Sequence, residues 1–204
     1  MITASRFLAV AAVAVVVTAS ARPAAAAGNP EQGKRLVYTC LGCHGIEGYR
    51  NAYPSYRVPK LGGQKRAYLE AALKEYRAGK RPHPTMQAQG TGLSDQDIED
   101  IAAFLEGGDT ARDKVTAATL GGLEVAKTCL SCHGADAADV VPTPPTLSGQ
   151  HQSYLQHALT QYRSGARAGT VMSAFAGSLS DEDIAQIAAF YSRQDGLRTP
   201  DRNR

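Results

Sequence analysis

The sequence has 204 residues, with 22 Lys and Arg against 19 Asp and Glu, no Trp, and a formal net charge of +3. This near balance gives no support for binding to nucleic acid, and the length fits one ordinary domain or two small ones. Only four cysteines are present.

The first 27 residues have the pattern of a secretory signal peptide. Arg6 precedes an apolar run over residues 7–17, and small residues with several A-x-A cleavage options follow. The run is shorter than the roughly 20 residues that span a membrane. We expect cleavage after Ala27, with Ala21 and an uncleaved N-terminal anchor as the alternatives. Export, most simply to a bacterial periplasm, would remove two arginines and lower the net charge to +1.

One unit occurs twice in the remaining sequence. The segment LGGQKRAYLEAALKEYRAGK from Leu61 aligns with LSGQHQSYLQHALTQYRSGA from Leu147, and LSDQDIEDIAAF recurs as LSDEDIAQIAAF at the same offset of 86. The motifs CLGCHG and CLSCHG are 89 positions apart, so the first copy has three extra residues. Such an internal repeat predicts two duplicated domains, over residues 28–110 and 111–204. We call these the first copy and the second copy.

Each copy has helical patterns, so the predicted fold class is all-α. Asn29 before Pro30 predicts a helix that runs into the first cysteine motif. A second helix ends at Gly79, and Ser94 with Asp97 predicts a capping box at the start of a third. Their predicted core positions are Leu69, Ala72, Leu73, Tyr76, Ile98, Ile101, Ala102 and Leu105. No alternating run predicts a strand, and the Tyr49, Tyr53 and Tyr56 segment, which holds the three extra residues, is expected to be a surface loop or a partner contact.

All four cysteines lie in the two motifs, which leaves disulfides, zinc or covalent haem as explanations. Redox disulfide pairs sit in a βαβ setting, which this sequence lacks. Zinc would need the two repeats to fold into each other, or a fourth ligand within one copy. C-x-x-C-H is the attachment pattern of c-type haem. The predicted residues are Cys40, Cys43 and His44 for a first haem, and Cys129, Cys132 and His133 for a second.

The second axial ligand of each iron is predicted to be a methionine. Once Met1 is removed, only Met86 and Met172 remain, at the same place in each copy. Packing in the core is the ordinary alternative for methionine, but Met86 lies in the Pro- and Gly-rich stretch RPHPTMQAQGTG, which we expect to be a loop. His83 is the rival ligand, although its counterpart is Gly169. Ligation by His and Met raises the reduction potential of haem iron.

These motifs resemble the di-haem cytochromes c4. The resemblance rests on two C-x-x-C-H-G motifs, two L-x-G-Q-x-x-x-Y-L helix starts, two methionines at matched positions and two L-S-D-x-D-I-x-x-I-A-A-F endings. It covers essentially all of the chain after the signal peptide. It implies two tandem class I cytochrome c domains, related by pseudo-twofold symmetry, with the haems at their mutual interface.

The resemblance also implies roles for prolines and glycines. The carbonyls of Pro59 and Pro145 would accept a hydrogen bond from the iron-binding histidines. Gly33 and Gly122 would permit a close crossing with the C-terminal helix of each copy, near Phe104 and Phe190.

The function that the resemblance implies is electron transfer without substrate chemistry. The protein would be a periplasmic carrier that delivers electrons towards a terminal oxidase. Its partners would be redox proteins such as that oxidase or a quinol-oxidising complex, with loose membrane association in some members, no nucleic acid, and a mostly monomeric state. The alternatives are a di-haem redox enzyme (peroxidase or thiosulfate-oxidising) and a cytochrome subunit of a membrane oxidoreductase complex. Seven basic residues within positions 60–81 predict either a docking face for an acidic partner or a solvated helix face.

Overall fold

The computed structural model describes residues 28–107, 115–121, 123–134, 144–167 and 170–201. The predicted signal peptide, the predicted boundary between residues 110 and 111, Gly122 and Gly169 lie outside these ranges. Among the described residues, no helix is long and apolar enough to cross a membrane.

The described residues are mainly helical, which confirms the predicted all-α class. The helices of the first copy are α1 (Pro30–Leu36), α2 (Leu41–His44), α3 (Arg66–Arg77), α4 (Pro84–Thr91) and α5 (Asp95–Glu106). The second copy has a 3-10 turn at Glu124–Ala126 and then α6 (Leu130–His133), α7 (Gln152–Arg163), α8 (Val171–Ala176) and α9 (Asp181–Ser192). Helices α2 to α5 therefore recur in order as α6 to α9.

Helix α1 begins where it was predicted but ends sooner. The Asn29 side chain accepts hydrogen bonds from the N–H groups of Glu31 and Gln32, so it is the N-cap. The predicted continuation into the cysteine motif is wrong, because α1 ends at Leu36 and α2 forms separately. The residues after Leu36 are Val37, Tyr38 and Thr39, and β-branched and aromatic side chains lose rotamer freedom in a helix.

The last helix of each copy begins with the same capping box. In the first copy the Ser94 N–H donates to the Asp97 carboxylate at 2.9 Å, and the Asp97 N–H donates to the Ser94 hydroxyl at 3.1 Å. Ser180 and Asp183 make the same two bonds at 2.8 and 3.1 Å. The prediction of the capping box is confirmed in both copies.

Each copy has its own apolar core. The first contains Val37, Leu41, Leu69, Ile101, Ala102 and Leu105, and the second contains Val115, Leu120, Ala126, Leu155, Ile187, Ala188, Phe190 and Tyr191. All of the core positions predicted for α3 and α5 are buried except Leu73 and Tyr76, which are partly buried. Helix α1 crosses α5 so closely that a Cβ on Gly33 would lie 2.0 Å from the carbonyl oxygen of Asp100 and 2.9 Å from the Cβ of Phe104. The close crossing implied for Gly33 is therefore present.

The segment with the three extra residues is a small hairpin, so the expectation of no strand is wrong. Strands β1 (Arg50–Asn51) and β2 (Tyr56–Arg57) pair antiparallel. The Asn51 side-chain amide donates to the carbonyl of Pro54 at 2.8 Å and closes the turn. Tyr53 at the tip is 96% exposed, whereas Tyr56 is only 5% exposed. The surface expectation therefore holds for Tyr53 and not for Tyr56.

The two copies meet through reciprocal hydrogen bonds. The Gln64 side chain accepts from the N–H of Thr146 at 2.9 Å and donates to its carbonyl at 3.1 Å. Gln150 does the same to Lys60, at 2.9 and 3.0 Å. The repeat offset of 86 relates Gln64 to Gln150 and Lys60 to Thr146. This exchange is the pseudo-twofold relation that the resemblance implied.

Candidate haem-attachment sites

Each cysteine motif forms one short helical turn with the same geometry. Cys40 is the N-cap of α2, Cys43 lies within it, and His44 is its last residue. The His44 N–H donates to the carbonyl of Cys40 at 2.8 Å, and the N–H of His133 donates to that of Cys129 at 2.8 Å. All four cysteines are free thiols and are half-buried. The spacing therefore places two thiols and a histidine together on one turn, twice.

The two motif histidines are held in the orientation that an iron ligand needs. The Nδ1 atom of His44 lies 2.8 Å from the carbonyl oxygen of Pro59, and that of His133 lies 2.9 Å from the carbonyl of Pro145. Because a carbonyl only accepts, Nδ1 carries the proton and Nε2 is left unprotonated in the neutral ring. Burial lowers the pKa of His44 in spite of the bond to Pro59, which favours that neutral ring. The proline contact implied by the resemblance is present in both copies.

The first cysteine of each motif is less acidic than an ordinary thiol. Burial raises the pKa of Cys40 and also that of Cys129. Reactive dithiol pairs instead have a lowered pKa. Among the described residues there is also no cluster of three or more His, Cys, Asp or Glu side chains that could hold a metal ion, so the described pairs do not converge on a zinc site.

The two methionines lie on short helices, which corrects the predicted loop. Met86 is in α4 and Met172 is in α8, and both are half-buried. Pro84 opens α4, and proline in the first turn favours a helix start. Within α4, Gly90 packs close to the backbone of Arg77 on α3, so tertiary packing supports this Gly-containing helix.

His83 is the N-cap of α4. Its Nδ1 accepts the N–H of Met86 at 3.2 Å, and its ring lies edge-on to Tyr76 at 6.3 Å between centroids. The nearby His83 also adds to the lowered pKa of His44. One nitrogen of His83 is therefore engaged in capping α4.

The donor set fits the prosthetic group that the motifs imply. Covalent attachment of haem c needs two thiols and a neutral imidazole on one turn, and both copies present them. A half-buried thioether on a separate helix is available in each copy. Sulfur and imidazole nitrogen are both established haem-iron ligands.

Sequence analysis missed a buried cluster between the copies, which we call the Arg–Tyr cluster. It consists of Arg81, Arg167, Tyr68, Tyr76, Tyr154 and Tyr162. Arg81 was counted in the predicted basic face, but it is only 5% exposed. The signal that could have found the cluster is the repeat, because its members form three pairs at the offset of 86.

Comparisons with known proteins agree with this geometry. The family model described as Cytochrome c matches residues 30–109 and 121–192. Cytochrome c4 of Pseudomonas aeruginosa is 32% identical over 185 residues, which cover 81% of this chain and 88% of the relative. The crystal structure of reduced recombinant cytochrome c4 from Pseudomonas stutzeri has a TM-score of 0.66 at 30% identity and covers 84% of this chain and 100% of that one. A thiosulfate dehydrogenase electron acceptor of Stutzerimonas stutzeri is 28% identical over 75% of this chain and 77% of its own length.

Fold, motifs and family match together define a c-type cytochrome with two domains in tandem and two covalently attached haem c groups. Within that class, the chain belongs to the cytochrome c4 family and is a di-haem electron-transfer protein that works with redox partners.

Proposed function

We propose that the chain is an exported electron carrier with two haems. Its own side chains occupy both axial positions of each haem iron. Cys40 and Cys43 attach the first haem and Cys129 and Cys132 the second. His44 with Met86, and His133 with Met172, are the axial ligand pairs. The carrier domains are residues 28–110 and 111–204, after a signal peptide over residues 1–27.

One observation carries this proposal: the same orienting contact occurs in both copies. A proline carbonyl lies 2.8 Å from Nδ1 of His44 and 2.9 Å from Nδ1 of His133. A hydrogen bond of this kind fixes the ring and raises its basicity as a ligand. Because the two sites have the same geometry, we expect their irons to have the same ligands. This favours two electron-transfer sites over one electron-transfer site and one catalytic site.

The chain's contribution to electron transfer is to hold both axial positions. Haem c supplies a one-electron ferric–ferrous couple when it is attached. Histidine and methionine side chains that stay in place let the oxidation state change with little rearrangement. With both positions filled, neither site has a place for a substrate, so we propose that the protein is not a peroxidase or a thiosulfate-oxidising enzyme.

The proposed location is the periplasm, and the proposed route delivers electrons towards a terminal oxidase. The N-terminal signal pattern supports export. Three of the seven basic residues within positions 60–81 do not present a free charge at the surface. Arg81 is buried, and Arg66 and Arg77 form ion pairs with Glu70 and Asp95. The electrostatic steering that this face gives to an acidic partner is therefore weaker than its charge count suggests.

Spectroscopy of matched variants tests the ligand assignment. In the wild-type ferric protein we expect two low-spin haems with the weak sulfur-to-iron band. Met86→Ala and Met172→Ala should each remove half of that band, whereas His83→Ala should leave it intact. A wild-type band of only half the intensity that Met86→Ala leaves unchanged, together with loss of the low-spin spectrum of one haem in His83→Ala, would transfer the ligand role to His83.

The relative named thiosulfate dehydrogenase electron acceptor favours a second candidate, in which this carrier accepts electrons from a thiosulfate-oxidising enzyme. Stopped-flow mixing of the ferric protein with such an enzyme and thiosulfate tests it. Reduction within the enzyme's turnover time supports this donor, and reduction no faster than with thiosulfate alone excludes it.

A further inference from the structure

The chain that follows the last helix of the second copy packs against both copies. Helix α9 ends at Ser192, and residues 197–201 then form a segment that we call the strap. Leu197 in the strap is only 3% exposed, and Pro200 is also buried. The last residues of a domain are poorly ordered unless contacts tie them down. The burial of the strap therefore shows that it is held by the rest of the molecule.

Two consecutive residues of the strap bond to equivalent positions of the two copies. The N–H of Leu197 donates to the carbonyl of Ser148 at 2.8 Å. The N–H of Arg198 donates to the carbonyl of Gly62 at 3.0 Å, and the N–H of Gly62 donates back to the carbonyl of Arg198 at 2.9 Å. Gly62 and Ser148 are related by the repeat offset of 86. One short segment therefore joins the same loop in both copies.

The loops that the strap joins are the ones that orient the iron-binding histidines. Gly62 comes three residues after Pro59, whose carbonyl oxygen lies 2.8 Å from Nδ1 of His44. Ser148 has the same place after the proline whose carbonyl lies 2.9 Å from Nδ1 of His133. A contact that holds these loops also holds the carbonyls that orient the two rings.

The strap approaches the loops at a distance that only glycine permits. A Cβ on Gly62 would lie 2.9 Å from the carbonyl oxygen of Arg198. A Cβ on Gly196, just before the strap, would lie 2.2 Å from the carbonyl oxygen of Ser148. Glycine lets two backbone segments come this close, because it has no Cβ. The strap therefore has one defined position against the two loops.

Beyond its backbone bonds, the strap makes side-chain contacts with the first copy. The hydroxyl of Thr199 donates to the carboxylate of Glu47, which comes three residues after His44. The guanidinium of Arg198 reaches the C-terminal end of α5, where its Nη2 would lie 3.4 Å from a Cβ on Gly107. A cation at this end of a helix interacts favourably with the helix dipole. The strap thus holds the chain just after the first cysteine motif as well as the proline loop.

We infer that the strap positions the iron-binding histidine of the first copy, so that the second copy tunes the first haem. This inference rests on the proposed haem attachment, with His44 as a ligand. The hydrogen bond from Nδ1 of His44 to the carbonyl of Pro59 raises the basicity of the ring, and the strap holds that carbonyl in place through Gly62. A more basic imidazole stabilises ferric iron over ferrous iron, so the strap lowers the reduction potential of the first haem.

The effect of the strap is larger in the first copy than in the second. In the first copy the strap holds both sides of His44, through the two backbone bonds at Gly62 and the side-chain bond at Glu47. In the second copy it reaches the loop at Ser148 through the N–H of Leu197. Release of the strap should therefore change the first haem more than the second.

Substitutions in the full-length di-haem protein test this role. Arg198→Pro removes the N–H that donates to Gly62, whereas Arg198→Ala keeps that N–H and removes only the side chain. Thr199→Val removes the hydroxyl that donates to Glu47, and Thr199→Ser retains a hydroxyl. The matched control is Thr119→Val, which removes an exposed threonine hydroxyl that bonds within its own turn.

Two readouts report the position of His44. Redox titration followed by NMR gives the potential of each haem separately, and NMR of the ferrous protein gives the exchange rate of the Nδ1–H of His44. We expect Arg198→Pro to speed this exchange and to shift the ferric–ferrous equilibrium of the first haem towards ferrous by roughly fivefold, the order of one hydrogen bond. Arg198→Ala and Thr199→Val should give smaller shifts in the same direction. Thr199→Ser and Thr119→Val should match the wild type.

The outcomes separate a positioning role from a structural one. Unchanged values of both readouts in Arg198→Pro and in Thr199→Val would overturn the inference, even if the variants unfold more easily. A larger change at His133 than at His44 would overturn the assignment of the strap to the first haem. Thr199→Val removes a single surface hydrogen bond, so it remains informative if Arg198→Pro does not fold. A wild-type protein without covalently bound haem in the first copy would instead overturn the proposed function.

Discussion

Helices α3 and α7 occupy equivalent places in the two copies, yet only α7 is covered by the hairpin. The ring of Tyr56 stacks on His157 at 4.2 Å between centroids, and the N–H of Arg57 donates to the hydroxyl of Ser153 at 3.0 Å. The residues of α3 at the matching positions are Ala67 and Ala71, and both are exposed. The hairpin contact is therefore one-sided.

The contacts that are shared by both copies are of a different kind. The side chains of Gln64 and Gln150 each hydrogen-bond to the backbone of the opposite copy, and Arg81 and Arg167 each donate to a tyrosine of the opposite copy. The symmetric contacts hold the two copies together from both sides of the pseudo-twofold axis, whereas the hairpin adds packing to the second copy alone. The following changes compare the effects of such features in the two copies.

The largest effect is expected from removing the attachment cysteines of one copy. Cys40→Ala with Cys43→Ala should reduce the haem content that survives acid acetone from two per chain to one, because no other thiol is available for the first haem. Cys129→Ala with Cys132→Ala is the matched change in the second copy. Retention of two haems in either double variant would contradict the assignment.

The one-sided contact is tested by two tyrosines of the same hairpin. Tyr56→Ala removes a buried ring and its stack on His157, and should lower the free energy of unfolding by about 3 kcal/mol. Tyr53→Ala, at a 96% exposed position, should change it by less than about 0.5 kcal/mol. Denaturant unfolding monitored by haem absorbance measures both. Equal effects would mean that the hairpin does not stabilise the contact between the copies.

The helix crossing within the first copy is tested at Gly33. Gly33→Ala should cost about 1–3 kcal/mol, because its Cβ overlaps the backbone of α5. Gly92→Ala is the control, since nothing lies within 4 Å of a Cβ at that position. A Gly33→Ala protein as stable as Gly92→Ala would show that α1 can move away from α5 without loss.

The smallest expected effect is on the stability of the fold at low pH, and it should be the same in both copies. Hydrogen bonds from Ser94 lower the pKa of Asp97, and those from Ser180 lower the pKa of Asp183. A carboxylate with a lowered folded-state pKa stabilises the fold above its unfolded-state pKa, roughly 3.9, and this contribution is lost as pH falls through the folded value. Asp97→Asn and Asp183→Asn should each flatten the fall in stability below about pH 4. A steeper loss of stability at low pH in either variant would contradict the direction of these pKa shifts.

The features that were predicted correctly depend on neighbours in sequence. The capping boxes at Ser94 and Ser180, and the C-x-x-C-H turns, are set by residues three or four positions apart. Helix α4 was missed because its Gly-containing sequence disfavours a helix locally and packing against α3 supports it. The Arg–Tyr cluster and the buried Tyr56 join residues of different copies, and a residue's own neighbours contain no sign of such contacts.

We propose that both copies hold six-coordinate haem with His and Met ligands, so that the protein carries electrons and neither iron has a vacant coordination position. Carbon monoxide binding to the reduced, undamaged protein at neutral pH tests it most directly. We predict no binding in the wild type, and one equivalent in Met86→Ala or Met172→Ala, because each variant opens a single iron. Binding of one equivalent by the wild-type protein would contradict the claim and favour the enzyme alternative.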